Sequence, residues 1–165
     1  MLIQMSKMLT ESFFARDAQQ VAQELLGKVL RHYFDGIFLS AMIIEAEAYY
    51  LVEKGSHASL GFTQKRKALF MDPGTIYMYY ARGADSINVS CFGEGNAVLL
   101  KSGIPYLEDA PKNMIEVMQN LNPSKSGKPR AINKLCGGQT LLCRALGLKV
   151  SDWDQKKFII EKIRI

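Results

Sequence analysis

The chain sets carboxylates and a tyrosine behind an apolar run, in the order Ile37, Leu39, Ala41, Ile43, Glu45, Glu47, Tyr49 at every second position. Side chains alternate along a strand, so these seven residues share one face if the strand continues to its end. A carboxylate carried into an apolar setting must pair, shift its pKa upward or do chemistry. A strand that emerges at the sheet edge would instead leave both glutamates solvated. Gly55-Ser56-His57 follows, holding one of two histidines, between those carboxylates and Lys65-Arg66-Lys67. A loop histidine is either structural and exposed or a proton donor and acceptor. Tyr77 and Tyr79 share a face of a third β-rich run; aromatics there either fill a core or stack on bases. A carboxylate, a histidine, several tyrosines and basic flanks form the inventory of an enzyme that takes a base out of the stack and hydrolyses a bond beside it.

These residues need elements to hold them. Asp17 caps a helix with an apolar stripe at Val21, Leu25 and Leu26, and Gly27 stops it. Runs 28–34 and 37–44 flank Asp35-Gly36, a hairpin signal. His32 sits within the first of these strands and reads as structural. Runs 75–80 and 86–91 form a second strand pair joined by residues 81–85, and 97–101 is a fifth strand. Helices are expected over 109–121, 129–136 and 140–146, and a last strand over 158–165. Strands grouped before helices predict an α+β fold, a single domain over 1–165 with a mostly antiparallel sheet and flanking helices.

The chain has 165 residues, 48% hydrophobic and 22% charged, which excludes disordered and collagen-like classes. No apolar run in it approaches the roughly 18 residues needed for a membrane span. Residues 1–10 lack the apolar core and cleavage pattern of a secretory leader. Three cysteines without a C-x-x-C pair argue against a disulfide framework or a zinc site and fit a reducing cytoplasm. No metal or cofactor is expected. Lysine and arginine number 21 against 16 acids, leaving +5. The excess is concentrated: residues 117–151 hold no acid but do hold Lys125, Lys128, Arg130 and Lys134, and the stretch 54–71 holds Lys65, Arg66 and Lys67. Such clusters are either a solvated basic face or a track for a phosphate backbone.

The ordered motifs E-L-L-G-K-V-L (24–30), I-I-E-A-E-A-Y (43–49), Ser56-His57, M-D-P-G-T-I-Y-M-Y (71–79), I-N-V-S (87–90) and G-E-G-N-A-V-L-L (93–100) resemble the alkyladenine (3-methyladenine) DNA glycosylase family, over about residues 9–148. The resemblance implies a curved sheet of the type seen in a formyltransferase C-terminal domain. It implies a monofunctional hydrolase that flips alkylated or deaminated purines out of duplex DNA and leaves an abasic site, working as a monomer, near the nucleoid in a bacterium. Glu47 matches the general base that activates water. Tyr49, His57 and Tyr79 match the residues enclosing the flipped base, and Asn88 matches the residue that discourages guanine. The alternative within the same fold is a catalytically weak DNA- or RNA-binding module.

Four positions depart from the family pattern. Arg82 stands at the intercalating position, often Tyr, in a turn about one residue shorter; its planar guanidinium can stack, and Tyr80 can share the task. Lys101 replaces an arginine after V-L-L and keeps the charge without the bidentate fork. It is assigned with Lys65, Arg66, Lys67, Lys125, Lys128 and Arg130 to phosphate contacts. Gly137-Gly138-Gln139-Thr140 stands where the family tends to show G-P-x-K, although a helix start there could still bind phosphate. Beyond Ile165 the family continues through a further loop and strand, so a short or truncated member is expected.

Overall fold

A computed structural model describes residues 7–165. The expectation about a leader in residues 1–10 therefore falls largely outside the described residues.

A four-residue helix α1 (Glu11–Phe14) precedes α2 (Ala18–Leu25). The Asp17 carboxylate accepts the backbone N–H groups of Gln19 and Gln20, which satisfies orphan donors of the first turn and is worth about 1 kcal/mol. Strands β1 (Val29–Phe34) and β2 (Ile37–Tyr49) form the hairpin predicted at Asp35-Gly36, where both residues adopt positive φ. Then come β3 (Ile76–Ala81), β4 (Ala84–Ser90) and β5 (Ala97–Pro105), followed by α3 (Met114–Leu121), α4 (Gln139–Ala145), α5 (Val150–Trp153) and the two-residue β6 (Ile163–Arg164). The strands pair in the order β3-β4-β5-β2-β1-β6, all antiparallel, so the fold is α+β as expected.

One face of the sheet carries the main core. Leu30, Leu39, Ala41, Ile43, Ile76, Met78, Ile87, Val89, Val98 and Leu100 meet Val21 and Leu25 of α2, Met114 and Met118 of α3, and Leu142 and Cys143 of α4. The opposite face carries a smaller cluster, in which Tyr77 and Ala97 pack with Ala58, Ala68 and Leu69. The three cysteines are buried and free. Among the described residues no helix is long and apolar enough to cross a membrane.

The structure corrects four expectations. Residues 129–136 do not form a helix; only a 3-10 turn, Ile132–Lys134, is present. Pro129 cannot donate, and the side chain of Asn122 takes the Leu135 carbonyl at 2.7 Å instead. Residues 158–165 form a strand only at Ile163–Arg164, because residues 159–163 fold back on themselves through Lys162 N–H to Ile159 O. The helix expected from residue 109 starts at Met114, beyond Pro111. The link between β3 and β4 is a tight two-residue turn, not five residues: Ala81 pairs with Ala84, and Arg82 (φ 51°) and Gly83 (φ 81°) make the tip. Positive φ at both central residues matches the twist of a hairpin, and Arg82 adopts it despite the steric cost of its Cβ.

Candidate active site

The site is made on the sheet face away from the helices, and a break in β2 puts its carboxylate there. The β2–β5 register slips between Ile43 and Ala46. Before the slip Leu39, Ala41 and Ile43 face the main core; after it Ala46, Ala48 and Tyr50 do. An extra residue in a strand exchanges its two faces. Glu47 and Tyr49 therefore do not continue the stripe of Ile37, Leu39, Ala41 and Ile43, as regular alternation predicted. They join the face that bears Tyr77, Tyr79 and Asn88. Glu45 is exposed, which is the solvated outcome for that residue.

An open pocket of about 380 Å³ lies on this face, lined by Tyr49, Gly55, Ser56, His57, Leu69, Tyr77, Tyr79, Asn88, Gly95 and Ala97. All four residues assigned to the base pocket, Tyr49, His57 and Tyr79 as its enclosing walls and Asn88 against guanine, line it together. The rings of Tyr77 and Tyr79 stack at 5.6 Å between centroids, and His57 meets Tyr79 edge-on at 4.3 Å. His57 starts a 3-10 turn (His57–Leu60), and Ser56 Oγ caps it by accepting Ala58 N–H at 3.2 Å. Asn88 is buried, and its Nδ2 donates to the Tyr77 carbonyl at 3.2 Å.

Glu47 reaches the pocket through Tyr49, whose hydroxyl donates to Glu47 Oε2 at 2.7 Å. On its other side Lys101 Nζ lies 3.0 Å from Glu47 Oε1. Burial alone would raise the Glu47 pKa, but the hydrogen bonds from Tyr49 and Lys101 and the lysine charge outweigh it, so the net shift is downward. The bond to Glu47 pushes the Tyr49 phenol up to about 12. Burial and the nearby Arg66 lower the His57 pKa, so the imidazole is neutral at pH 7. The arrangement is an ionised carboxylate beside an aromatic-walled, uncharged pocket. It can accept a proton from water.

Two features hold the pocket walls and were not singled out for that role in the sequence. Asn96 ties two loops together: its Oδ1 accepts Leu51 N–H at 3.0 Å and its Nδ2 donates to Phe92 O at 3.0 Å. At Gly95 (φ +76°) an added Cβ would lie 2.9 Å from both Ala58 Cβ and Leu51 Cδ1, so only glycine permits this approach. Their signal was present as the G-E-G-N run ahead of β5.

The basic residues divide. Lys65, Lys67, Lys125 and Lys128 are exposed. Arg66 donates to Gly61 O and Leu60 O, and Arg130 to Asn122 O and Pro123 O, so both guanidinium groups brace loops through two of their five N–H groups. Lys101, assigned to a phosphate, is paired with Glu47. Arg82 and Tyr80 are both exposed at the β3–β4 hairpin. Among the described residues no group of three His, Cys, Asp or Glu side chains is placed to hold a metal ion.

Comparison with known proteins places the chain in a family. A family model described as methylpurine-DNA glycosylase matches residues 12–165, and the chain belongs to that family. A Pseudomonas aeruginosa protein, provisionally named as a 3-methyladenine DNA glycosylase, is 62% identical over 151 residues, covering 91% of this chain and 63% of that one. A similarly named Pseudomonas syringae pv. syringae protein is 56% identical over 158 residues, 95% of this chain and 71% of its own length. The DNA-3-methyladenine glycosylase of Mus musculus is 35% identical over 152 residues, 90% of this chain and 45% of the mouse protein. The chain thus spans about 63% of the length of the Pseudomonas aeruginosa relative.

Proposed function

We propose that this chain is the catalytic part of a DNA repair glycosylase that removes alkylated or deaminated purines of the 3-methyladenine class from duplex DNA. The observation that carries the reading is the Glu47 carboxylate, held ionised by Tyr49 and Lys101 next to a pocket walled by Tyr49, Tyr77, Tyr79 and His57. The damaged nucleotide rotates out of the helix into that pocket. Unstacking costs a few kcal/mol and least for a damaged base, which contributes selectivity. Alkylation at N3 or N7 puts positive charge on the purine, so aromatic walls attract it and it leaves readily. A water molecule attacks C1′ of the sugar while its proton passes to Glu47. The C1′–N bond breaks, its electron pair goes to the departing base, and an abasic sugar remains. The Glu47 carboxylate also stabilises positive charge developing on the sugar. No lysine adduct is involved, so the strand is left intact. Asn88 crowds the exocyclic amino group of guanine. Arg82, with Tyr80, fills the gap in the helix, and Lys65, Lys67, Lys125 and Lys128 follow the phosphates. The protein acts as a monomer in the cytoplasm, on the nucleoid of a bacterial cell.

A second reading, a DNA-binding module with little turnover, is favoured by one observation. The direct Lys101–Glu47 pair reduces the basicity of the carboxylate. Incubation with methylated duplex DNA decides between them. Free 3-methyladenine released by the parent protein, and not by Glu47→Gln, supports the glycosylase. DNA bound without release by either protein supports the module.

A further inference from the structure

The reaction above gives the Tyr77 hydroxyl no task, although its position is constrained. Tyr77 is only 3% exposed and packs among Ala58, Leu69 and Ala97. Among the described residues its hydroxyl has one hydrogen-bond partner, His57 Nδ1 at 3.0 Å. A buried phenol must place its proton on an acceptor. Burial also pushes its pKa up to about 12, so the proton stays on at neutral pH. Were the imidazole hydrogen on Nδ1, it would donate to the phenol oxygen, and the buried phenol proton would be left without an acceptor.

We infer that Tyr77 is a positioning residue that donates to Nδ1 and holds His57 as the neutral tautomer, with its one N–H on Nε2. His57 Nε2 has no partner among the described residues, and the ring lines the pocket. The groups around the imidazole are Tyr77 and Tyr79 of β3, Arg66 of the 3-10 turn Gln64–Phe70, and Tyr49 of β2 with Glu47 behind it. None of the carboxylates among the described residues is hydrogen-bonded to it. The pocket therefore offers a hydrogen-bond donor at this wall, and its occupant must present an acceptor there, an unprotonated ring nitrogen or an oxygen of the flipped nucleotide. This selectivity rests on the glycosylase reading; the tautomer itself does not.

The two are tested separately. Nitrogen-15 NMR of His57 in the DNA-free protein at pH 8 is expected to show an unprotonated Nδ1 and a protonated Nε2. In Tyr77→Phe the tautomers are expected to mix and the pKa to rise toward the ordinary 6.5, because a bond that favours the neutral form is lost. The opposite tautomer in the parent overturns the inference, as do unchanged nitrogen shifts in a folded Tyr77→Phe. If Tyr77→Phe fails to fold, the parent spectrum alone decides. Single-turnover excision supplies the second arm. Tyr77→Phe is expected to lose roughly threefold to tenfold at pH 7.5, and more as pH falls and His57 gains a proton. In a His57→Ala background the same change is expected to add nothing. A loss equal at every pH, or undiminished in that background, makes Tyr77 a packing residue only. If the parent excises nothing while the nitrogen spectrum is as expected, the functional reading fails and the tautomer assignment stands.

Discussion

Lys101 Nζ sits 3.0 Å from Glu47 Oε1, with the two side chains 35% and 32% exposed. Lysine and glutamate come from neighbouring strands at the point where the β2–β5 register slips. The slip turns Glu47 onto the pocket face and brings a cation against it, so one stretch of irregular pairing both places the carboxylate and lowers its pKa.

Glu47→Gln keeps the size of the side chain and can keep the bond from Tyr49, but cannot take a proton from water. Excision is expected to fall by about 10²–10⁴-fold, the usual worth of a general base, while binding of lesion DNA persists. Excision kinetics and a gel-shift titration on the same preparation check this. An equal loss of binding would make Glu47 structural.

Lys101→Met removes two of the influences that lower the Glu47 pKa and leaves burial opposed only by Tyr49. The acid limb of the pH–rate profile is expected to move to higher pH. Lys101→Arg keeps the charge and is expected to retain the parent limb. A limb unmoved in Lys101→Met would show that Glu47 does not govern the profile.

Arg82 sits at the exposed tip of the β3–β4 hairpin. Arg82→Ala is expected to slow base flipping, read as a reduced fluorescence rise from 2-aminopurine placed beside a lesion. A variant that flips and excises at the parent rate would return the wedge role to Tyr80 or remove it from this hairpin.

DNA affinity is expected to fall steeply with salt. Each phosphate contact contributes about 0.9 to the slope of log K against log salt. Lys65→Ala, Lys67→Ala, Lys125→Ala and Lys128→Ala should each flatten that slope by up to this amount. Arg66→Ala should instead loosen the turn that carries His57, since its guanidinium holds Gly61 O and Leu60 O. Denaturation midpoints separate the two effects.

His32 is buried with both ring nitrogens committed: Nδ1 to Leu146 O at 2.7 Å and Nε2 accepting from Trp153 Nε1–H at 3.1 Å. A second proton would put a donor against a donor, and burial lowers the folded pKa below 6.5. The unfolded chain then binds more protons in that window, so stability is full above about pH 6.5 and falls as pH drops below it. Urea midpoints at pH 8 and pH 5.5 should show this loss, and His32→Gln should reduce the difference.

Local signals were legible wherever the neighbouring residues decide the conformation. Asp17 capped α2, Asp35-Gly36 made the first hairpin, and the alternation through Tyr77 and Tyr79 placed two rings on one face. The same alternation failed in β2, because a register slip depends on what β5 offers opposite Ile43–Ala46. It failed again over residues 158–165, where residues 159–163 turn back on themselves before β6 pairs with β1. Charge marked Arg66 and Arg130 for phosphate contact, but it could not show that each also braces loop carbonyls that the chain brings near only on folding.

The order of motifs by itself determined the family, the α+β class and the residue types of the pocket, because these depend on side-chain chemistry and short-range periodicity. Tertiary structure alone decided that Glu47 faces the pocket and not the core, that Lys101 neutralises it, and that the Tyr77 hydroxyl holds His57. The last two depend on residues distant in the chain meeting at 3.0 Å, Lys101 and Glu47 through strand pairing, Tyr77 and His57 through a 3-10 turn packed against β3. Sequence spacing along a single strand does not encode such pairing.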